Sequence, residues 1–313
     1  MRFGLATAMA AVCVLGLLGA PAGATPAGAT AAEERPLAVA TISILADFVR
    51  AVAGDRLEVV SIVHVGGDPH TYEPVPSDAR RIADADVVVR NGLGLERWLD
   101  RLIATGAKTR VVTATEGLDP MLQAQGEYRG HPDPHLWMDP LLAAAYVRNI
   151  EAALSERYPR HAAEFAGRAR RYVERLQALD REIAGALAGI ERERRKLVTT
   201  HDAFRYFGRR YGVEVVATIW GISTEREPSA REVRAIVDGI RKHAVRVVFV
   251  ETTVNPALML RIAQETGIHV GAPLFGDSVG APGSGADTYL GMMRANARAV
   301  AEGLHKGWEK RLT

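Results

Sequence analysis

The most regular pattern in the chain lies between Pro159 and Arg195. Apolar or small residues recur there at Phe165, Ala169, Tyr172, Leu176, Leu179, Ile183, Leu187 and Ile190. Steps of three and four put all of them on one face of a helix. The positions between are mostly Arg, Glu, Asp and Gln, which suit a solvated side. About 35 residues rising about 1.5 Å each predict a helix of roughly 50 Å, the diameter of a whole domain. With about 120 residues on either side of it, the pattern predicts a strut between two lobes of ordinary domain size. A coiled-coil arm is the alternative, but its seam would carry Leu, Ile or Val where this stripe is rich in Ala.

On both sides of the strut the pattern alternates between strand and helix periods. Before it, β-branched runs at Leu37 to Ile42, Leu57 to Val63, Asp86 to Arg90 and Arg110 to Thr113 predict strands. Helical stretches at Leu45 to Ala53, Ser77 to Ala83, Leu95 to Ala104 and Leu141 to Arg157 fall between and after them. After the strut, strands are expected at Lys196 to Thr200, Val213 to Ile219, Arg246 to Val250 and Ile268 to Gly271. Helices are expected at Ala203 to Tyr211, from the Ser229 cap to His243, from Pro256 to Thr266 and from Asp287 to about Glu309. Such alternation argues for an α/β fold: two lobes, each with a mostly parallel sheet flanked by helices, bridged by one long rigid helix. The expected division is 1–31 as a leader, 36–157 as the first lobe, 158–195 as the linking helix and 196–313 as the second lobe.

Composition narrows the class. A chain of 313 residues that is 48% hydrophobic and 24% charged reads as a globular protein. Its formal charge of +2 makes no case for binding nucleic acid or a membrane surface. The start differs from the rest: Arg2 precedes an uncharged apolar run from Leu5 to Leu18, followed by Pro21 and small residues. That is the pattern of a cleaved secretory signal peptide, too short for a membrane span. Cys13, the one cysteine, sits inside the run behind Ala10-Ala11-Val12, a poor lipoprotein cleavage site. Cleavage beyond it leaves no thiol, no disulfide and no membrane anchor, so a soluble periplasmic protein is expected.

Chemistry gathers in the loops. His70, His135, His201 and Asp277 all fall at strand ends or in the loops that follow. In open α/β sheets ligands bind beyond the carboxyl ends of the strands. Two of the four come from each lobe, so a shared site would lie in the cleft, with three imidazoles and a carboxylate around a borderline-soft cation. Pro69 and Pro134 would preset the first two histidines, and Trp137 and Tyr72 would keep water away. On spacing alone each histidine is more often an ordinary surface or satisfied residue, because the candidates are far apart in sequence. His131 lies near His135 as an auxiliary or entry-path candidate.

The segments GGDPHTYEPVPSD around His70 and DPHLWMDP around His135 resemble the two histidine motifs of the zinc- and manganese-specific substrate-binding proteins of ABC transporters. THDAFRYFGRRYGVE around His201 and LFGDSVG around Asp277 are similar to the third and fourth ligand motifs, in order along essentially the whole mature chain. The resemblance implies capture of a divalent metal and its delivery to a membrane permease, with no catalysis and a monomeric chain. It implies His70, His135, His201 and Asp277 as ligands, and Glu251 as an acidic neighbour rather than a ligand. Family members that prefer manganese tend to have glutamate at the third position, so His201 implies Zn2+, with Mn2+ or iron as the alternative. The long His- and Asp-rich loop of many zinc members is missing before the second motif, where this chain has only EGLDPMLQAQGEYRGHPD. A secreted zinc hydrolase is the remote alternative, since a catalytic zinc keeps an open position and no H-E-x-x-H pattern occurs.

Overall fold

Two parallel sheets with the same strand order carry the chain. The computed structural model describes residues 35–104, 109–124 and 128–309. The expected leader with Cys13 lies outside the described residues. In the first half, β1 (Leu37–Ala40), β2 (Glu58–Ser61), β3 (Val87–Arg90) and β4 (Arg110–Thr113) form one sheet in the order β2-β1-β3-β4, parallel throughout. β1 and β3 are runs of Val and Ala almost wholly buried, as central parallel strands covered on both faces must be. The covering helices are α1 (Ser43–Ala53), α2 (Pro76–Asp84), α3 (Arg97–Ala104) and α4 (Pro140–Arg157).

In the second half, β5 (Lys196–Thr199) pairs with β6 (Glu214–Thr218), and β7 (Val247–Val248) pairs with β8 (His269–Val270), both parallel. The Phe249 N–H donates to the Val198 carbonyl at 2.8 Å and sets β7 beside β5. The spatial order is therefore β6-β5-β7-β8, a repeat of the first half. Helices α6 (Arg205–Tyr211), α7 (Ala230–Lys242), α8 (Ala257–Thr266) and α9 (Tyr289–Glu309) alternate with these strands. α7 begins where expected because Ser229 and Glu232 form a reciprocal cap. In each half the chain leaves the central strand to opposite sides, so crevices open at the carboxyl ends of β1 and β5.

The long helix is α5 (Ala162–Ala188), preceded by a single 3-10 turn at Pro159–His161. All eight expected stripe residues are buried, from Phe165 to Ile190. They pack against α1, α4 and α9 rather than crossing open solvent. The regular helix stops seven residues short of Arg195. Beyond Ile190 the run Glu191 to Arg195 offers no apolar position to bury, and the Arg195 guanidinium turns back to donate to the carbonyls of Ile190 and Tyr211, both at 2.9 Å. Asp47 of α1 links three helices, accepting from the Tyr172 hydroxyl and from the Tyr289 N–H at the start of α9, each at 3.0 Å. One core cluster runs from Ala38 and Val88 through Leu176 to Phe207 and Met292, and a second fills the space around Val198, Ile236 and Met259. No helix among the described residues is long and apolar enough to cross a membrane.

Candidate metal centre

Each of the four expected ligand residues is held by its own local device. The loop after β2 brings His70, whose N–H donates to the Asp68 carboxylate at 2.9 Å. This is an Asx-type turn, with the proline between fixing its backbone. The Trp98 indole N–H donates to the Pro69 carbonyl at 3.1 Å and holds the loop from outside. Tyr72 meets Trp98 edge to face, with ring centroids 5.2 Å apart, and donates to Asp78, one layer further out than expected. His135 stands in a second Asx-type turn, its N–H donating to Asp133 at 3.1 Å, just before a 3-10 turn at Leu136–Met138. Asn91 donates to the Pro134 carbonyl at 3.0 Å and the Tyr206 hydroxyl donates to the Asp133 carbonyl at 3.0 Å.

His201 sits two residues past the end of β5. Its N–H and the Thr200 hydroxyl both donate to one oxygen of Glu251, at 2.8 and 2.9 Å. Asp277 follows β8 in a loop held by the Trp137 indole N–H, which donates to the Gly276 carbonyl at 2.9 Å. Gly276 has no room for a side chain, since a Cβ there would lie 2.5 Å from the Glu251 carboxylate and 3.1 Å from the His201 ring.

These four side chains converge. Each offers one ligand atom, and those atoms lie within 4.8 Å of one another. The His135 Nε2 is 3.3 Å from His70 Nε2 and 3.4 Å from His201 Nε2. Asp277 oxygens stand 3.2, 3.4 and 3.8 Å from the Nε2 atoms of His201, His135 and His70. A tetrahedral shell with bonds of about 2.0–2.1 Å has edges of roughly 3.3–3.4 Å, so the spacing suits one small divalent ion. Both Asp277 oxygens are buried and take no well-formed hydrogen bond among the described residues; the His201 and His135 rings stand 3.2 and 3.4 Å away as ion-pair partners. A buried carboxylate left this way is costly unless a cation faces it.

Outer carboxylates orient the rings. Asp133 lies 2.8 Å from His135 Nδ1, and Glu251 lies 2.7 Å from His201 Nδ1. Each leaves Nε2 turned toward the centre, as metal-bound imidazoles usually are. Burial opposes charge on His135, but Asp133 and Asp277 outweigh it and push the ring up to about 9. His201 is likewise raised well above its ordinary value, with Glu251 and Asp277 overcoming burial. Burial would raise Asp277, yet His201 and His135 hold it well below the usual carboxylate range. Without metal, protons on two rings thus balance part of the negative charge that a divalent ion would balance.

His131 is exposed and stands apart from the four; it lines a narrow passage that also touches His70. His64 and His305 are exposed, and His161, His243 and His269 are half-buried away from the cluster. Sequence reasoning passed over Asp68 and Asp133, although the repeated Asp-Pro-His spacing carried the signal. Nothing local marked Gly276 or Thr224, whose hydroxyl donates to Asp68 from 156 residues away.

A family model described as the periplasmic component A of the zinc-uptake complex matches residues 38–303. The chain is 36% identical over 295 residues to the manganese-binding lipoprotein MntA of Halalkalibacterium halodurans, covering 94% of this chain and 96% of that protein. It is 34% identical over 285 residues to the manganese ABC transporter substrate-binding lipoprotein PsaA of Streptococcus pneumoniae, covering 88% and 92%. The periplasmic zinc binding protein TroA of Treponema pallidum superposes with a TM-score of 0.81 at 28% identity, covering 86% of this chain and 99% of that one. A manganese-bound periplasmic metal binding protein from Candidatus Liberibacter asiaticus gives 0.77 at 26% identity, covering 86% and 100%.

Proposed function

This chain belongs to the family of periplasmic zinc-uptake component A, metal-binding substrate-binding proteins of ABC transporters, and on that premise we propose that it carries zinc between His70, His135, His201 and Asp277. It is a transport component and not an enzyme; it works outside the cytoplasm with a membrane permease as its partner. The observation that carries the reading is the buried cluster of three imidazole nitrogens and one carboxylate, the one such group among the described residues, whose ligand atoms lie within 4.8 Å of one another. Four protein donors close the shell and leave no position for an activated water, which argues against hydrolysis.

Zinc is favoured by His201. Nitrogen donors suit zinc, whereas manganese prefers oxygen. Manganese is the second reading, because the relatives at 34–36% identity carry manganese in their names. Competition titration of both metals at one pH decides between them. His201→Glu should narrow the zinc-to-manganese affinity ratio, since it exchanges a nitrogen for an oxygen. His201→Ala should weaken zinc without helping manganese. An unchanged ratio in the glutamate variant removes His201 from the shell, and a wild type that prefers manganese overturns the zinc reading.

The working division is residues 36–157 and 196–313 as lobes, with 158–195 between them. Because α5 packs along its length on α1, α4 and α9, closure on metal should be a few degrees. Metal-free and metal-loaded crystal structures whose lobes differ by tens of degrees would contradict this. The relatives MntA and PsaA are named lipoproteins, but Ala10-Ala11-Val12 before Cys13 make a poor lipoprotein cleavage site, and on that ground the leader is proposed to be cleaved beyond Cys13. An intact mass beginning at Cys13 with added acyl chains would overturn that.

A further inference from the structure

The loop 221–228, between β6 and α7, stands as a wall between two spaces. On one side is the narrow passage to His70, about 30 Å³, edged by Arg97 and His131 and by Ser223 and Glu225 of the loop. That volume holds about two water molecules, too few for a cation with its hydration shell. On the other side lies a cavity of about 320 Å³, lined by Trp220, Ser223, Arg226, Glu232 and Ile236. Ser223 lines both.

Two contacts pull the loop over the passage onto the first half of the chain. The Thr224 hydroxyl donates to Asp68, two residues before His70. The Arg97 guanidinium at the start of α3 stands 3.9 Å from Glu225, with both side chains about half exposed. A third contact holds the loop toward the cavity: Arg226 donates to Glu232 of α7 at 2.6 and 3.2 Å. The loop ends are fixed, by the Asp202 N–H on the Gly221 carbonyl at 3.0 Å and by the Ser229 cap of α7. A short segment fixed at both ends, latched on one side and with open space on the other, has the parts of a gate.

We propose that loop 221–228 gates the path to the metal centre, latched shut by Thr224–Asp68 and Arg97–Glu225, and that it swings into the 320 Å³ cavity to let the ion pass His131 and Glu225 to His70. The proposal rests on the metal reading above. A gate sets how fast metal enters and leaves more than how tightly it is held, because opening serves both directions.

The test is stopped-flow zinc release to a chelator, with uptake rates and zinc stoichiometry measured on the same full-length mature proteins. Thr224→Val removes a hydrogen bond to a charged group and should speed release roughly tenfold. Arg97→Glu sets two carboxylates against each other at the surface and should speed it about twofold to fivefold. Uptake should accelerate as well, so affinity shifts by less than either rate. The exchanged pair, Arg97→Glu with Glu225→Arg, should bring release back toward wild type, and its surface position keeps the test open if Thr224→Val fails to fold. Unchanged release and uptake in the variants, with one zinc per chain retained, overturns the gate and leaves the metal reading standing. A wild type that takes up no zinc overturns both.

Discussion

Asp68-Pro69-His70 and Asp133-Pro134-His135 are the same three residues, and in both the aspartate accepts from the N–H of the histidine two positions on. The local turn is therefore shared. The surroundings are not. Asp133 also reaches the ring of its own histidine, at 2.8 Å from Nδ1, while its other oxygen lies 3.5 Å from Arg205. Asp68 instead turns its second oxygen to Thr224. His135 is wholly buried, whereas His70 keeps 8% exposure at the inner end of the passage.

The proton affinities separate accordingly. Burial lowers His70 to about 3, and the nearby His135, His201 and Arg97 add to the effect against Asp277. His135 goes the other way, to about 9. One turn thus presents a neutral ring, and its twin presents a protonated ring whose proton a metal bound there would have to displace. Identical tripeptides dictate a backbone; the charges packed around them dictate the chemistry.

The largest effect should come from removing either ring. His70→Ala and His135→Ala should each weaken zinc by more than the roughly 100-fold that loss of an outer partner costs. Isothermal titration checks this, and a variant that binds within a few-fold of wild type removes that histidine from the centre.

Acid comes next. A histidine raised from 6.5 to about 9 stabilises the metal-free fold fully below 6.5, and that contribution is lost as pH rises through about 9. Zinc bound as proposed would do the reverse, because it would take the ring only after its proton has left. Affinity should therefore fall about tenfold per pH unit for each displaced proton as pH drops from about 9. The rise in melting temperature on adding zinc should be larger at pH about 9 than at pH about 6. An equal rise at both values would show that His135 holds no proton for zinc to displace.

A finer contrast lies in the two aspartates. Asp133→Asn keeps an acceptor for the backbone N–H but loses the carboxylate beside the ring, and should cost about 10–100-fold in zinc affinity. Asp68→Asn keeps the same turn and touches no ring, so equilibrium affinity should move by only about two- or threefold. Equal losses in the two variants would mean that both aspartates act only on the backbone.

Much of the scaffold was legible in the chain itself. The stripe from Phe165 to Ile190, the Ser229 cap and the β-branched runs at Leu37 and Val87 rest on residues within one or two turns of each other, and all appear in the fold. Element ends needed distant partners. α3 starts at Arg97 rather than Leu95, because Leu93 adopts φ 56 between two left-handed glycines and the Glu96 carboxylate turns inward to Thr41, Asn91 and Gly92. The end of α5 depended on Arg195 reaching Tyr211. The site went the same way. The sequence marked His70, His135, His201 and Asp277 as candidates, weakly by their places at strand ends or in the loops that follow and more firmly by the resemblance of the motifs around them. Only tertiary structure could bring their ligand atoms within 4.8 Å, put Glu251 beside the His201 ring and turn Asp277 toward all three rings. The physical reason is range. Helix and strand signals depend on neighbours a few residues apart, whereas most of the charges that set a buried group's protonation come from distant parts of the chain, as Glu251 does for His201; Asp133 beside His135 is the local exception that the Asp-Pro-His motif records.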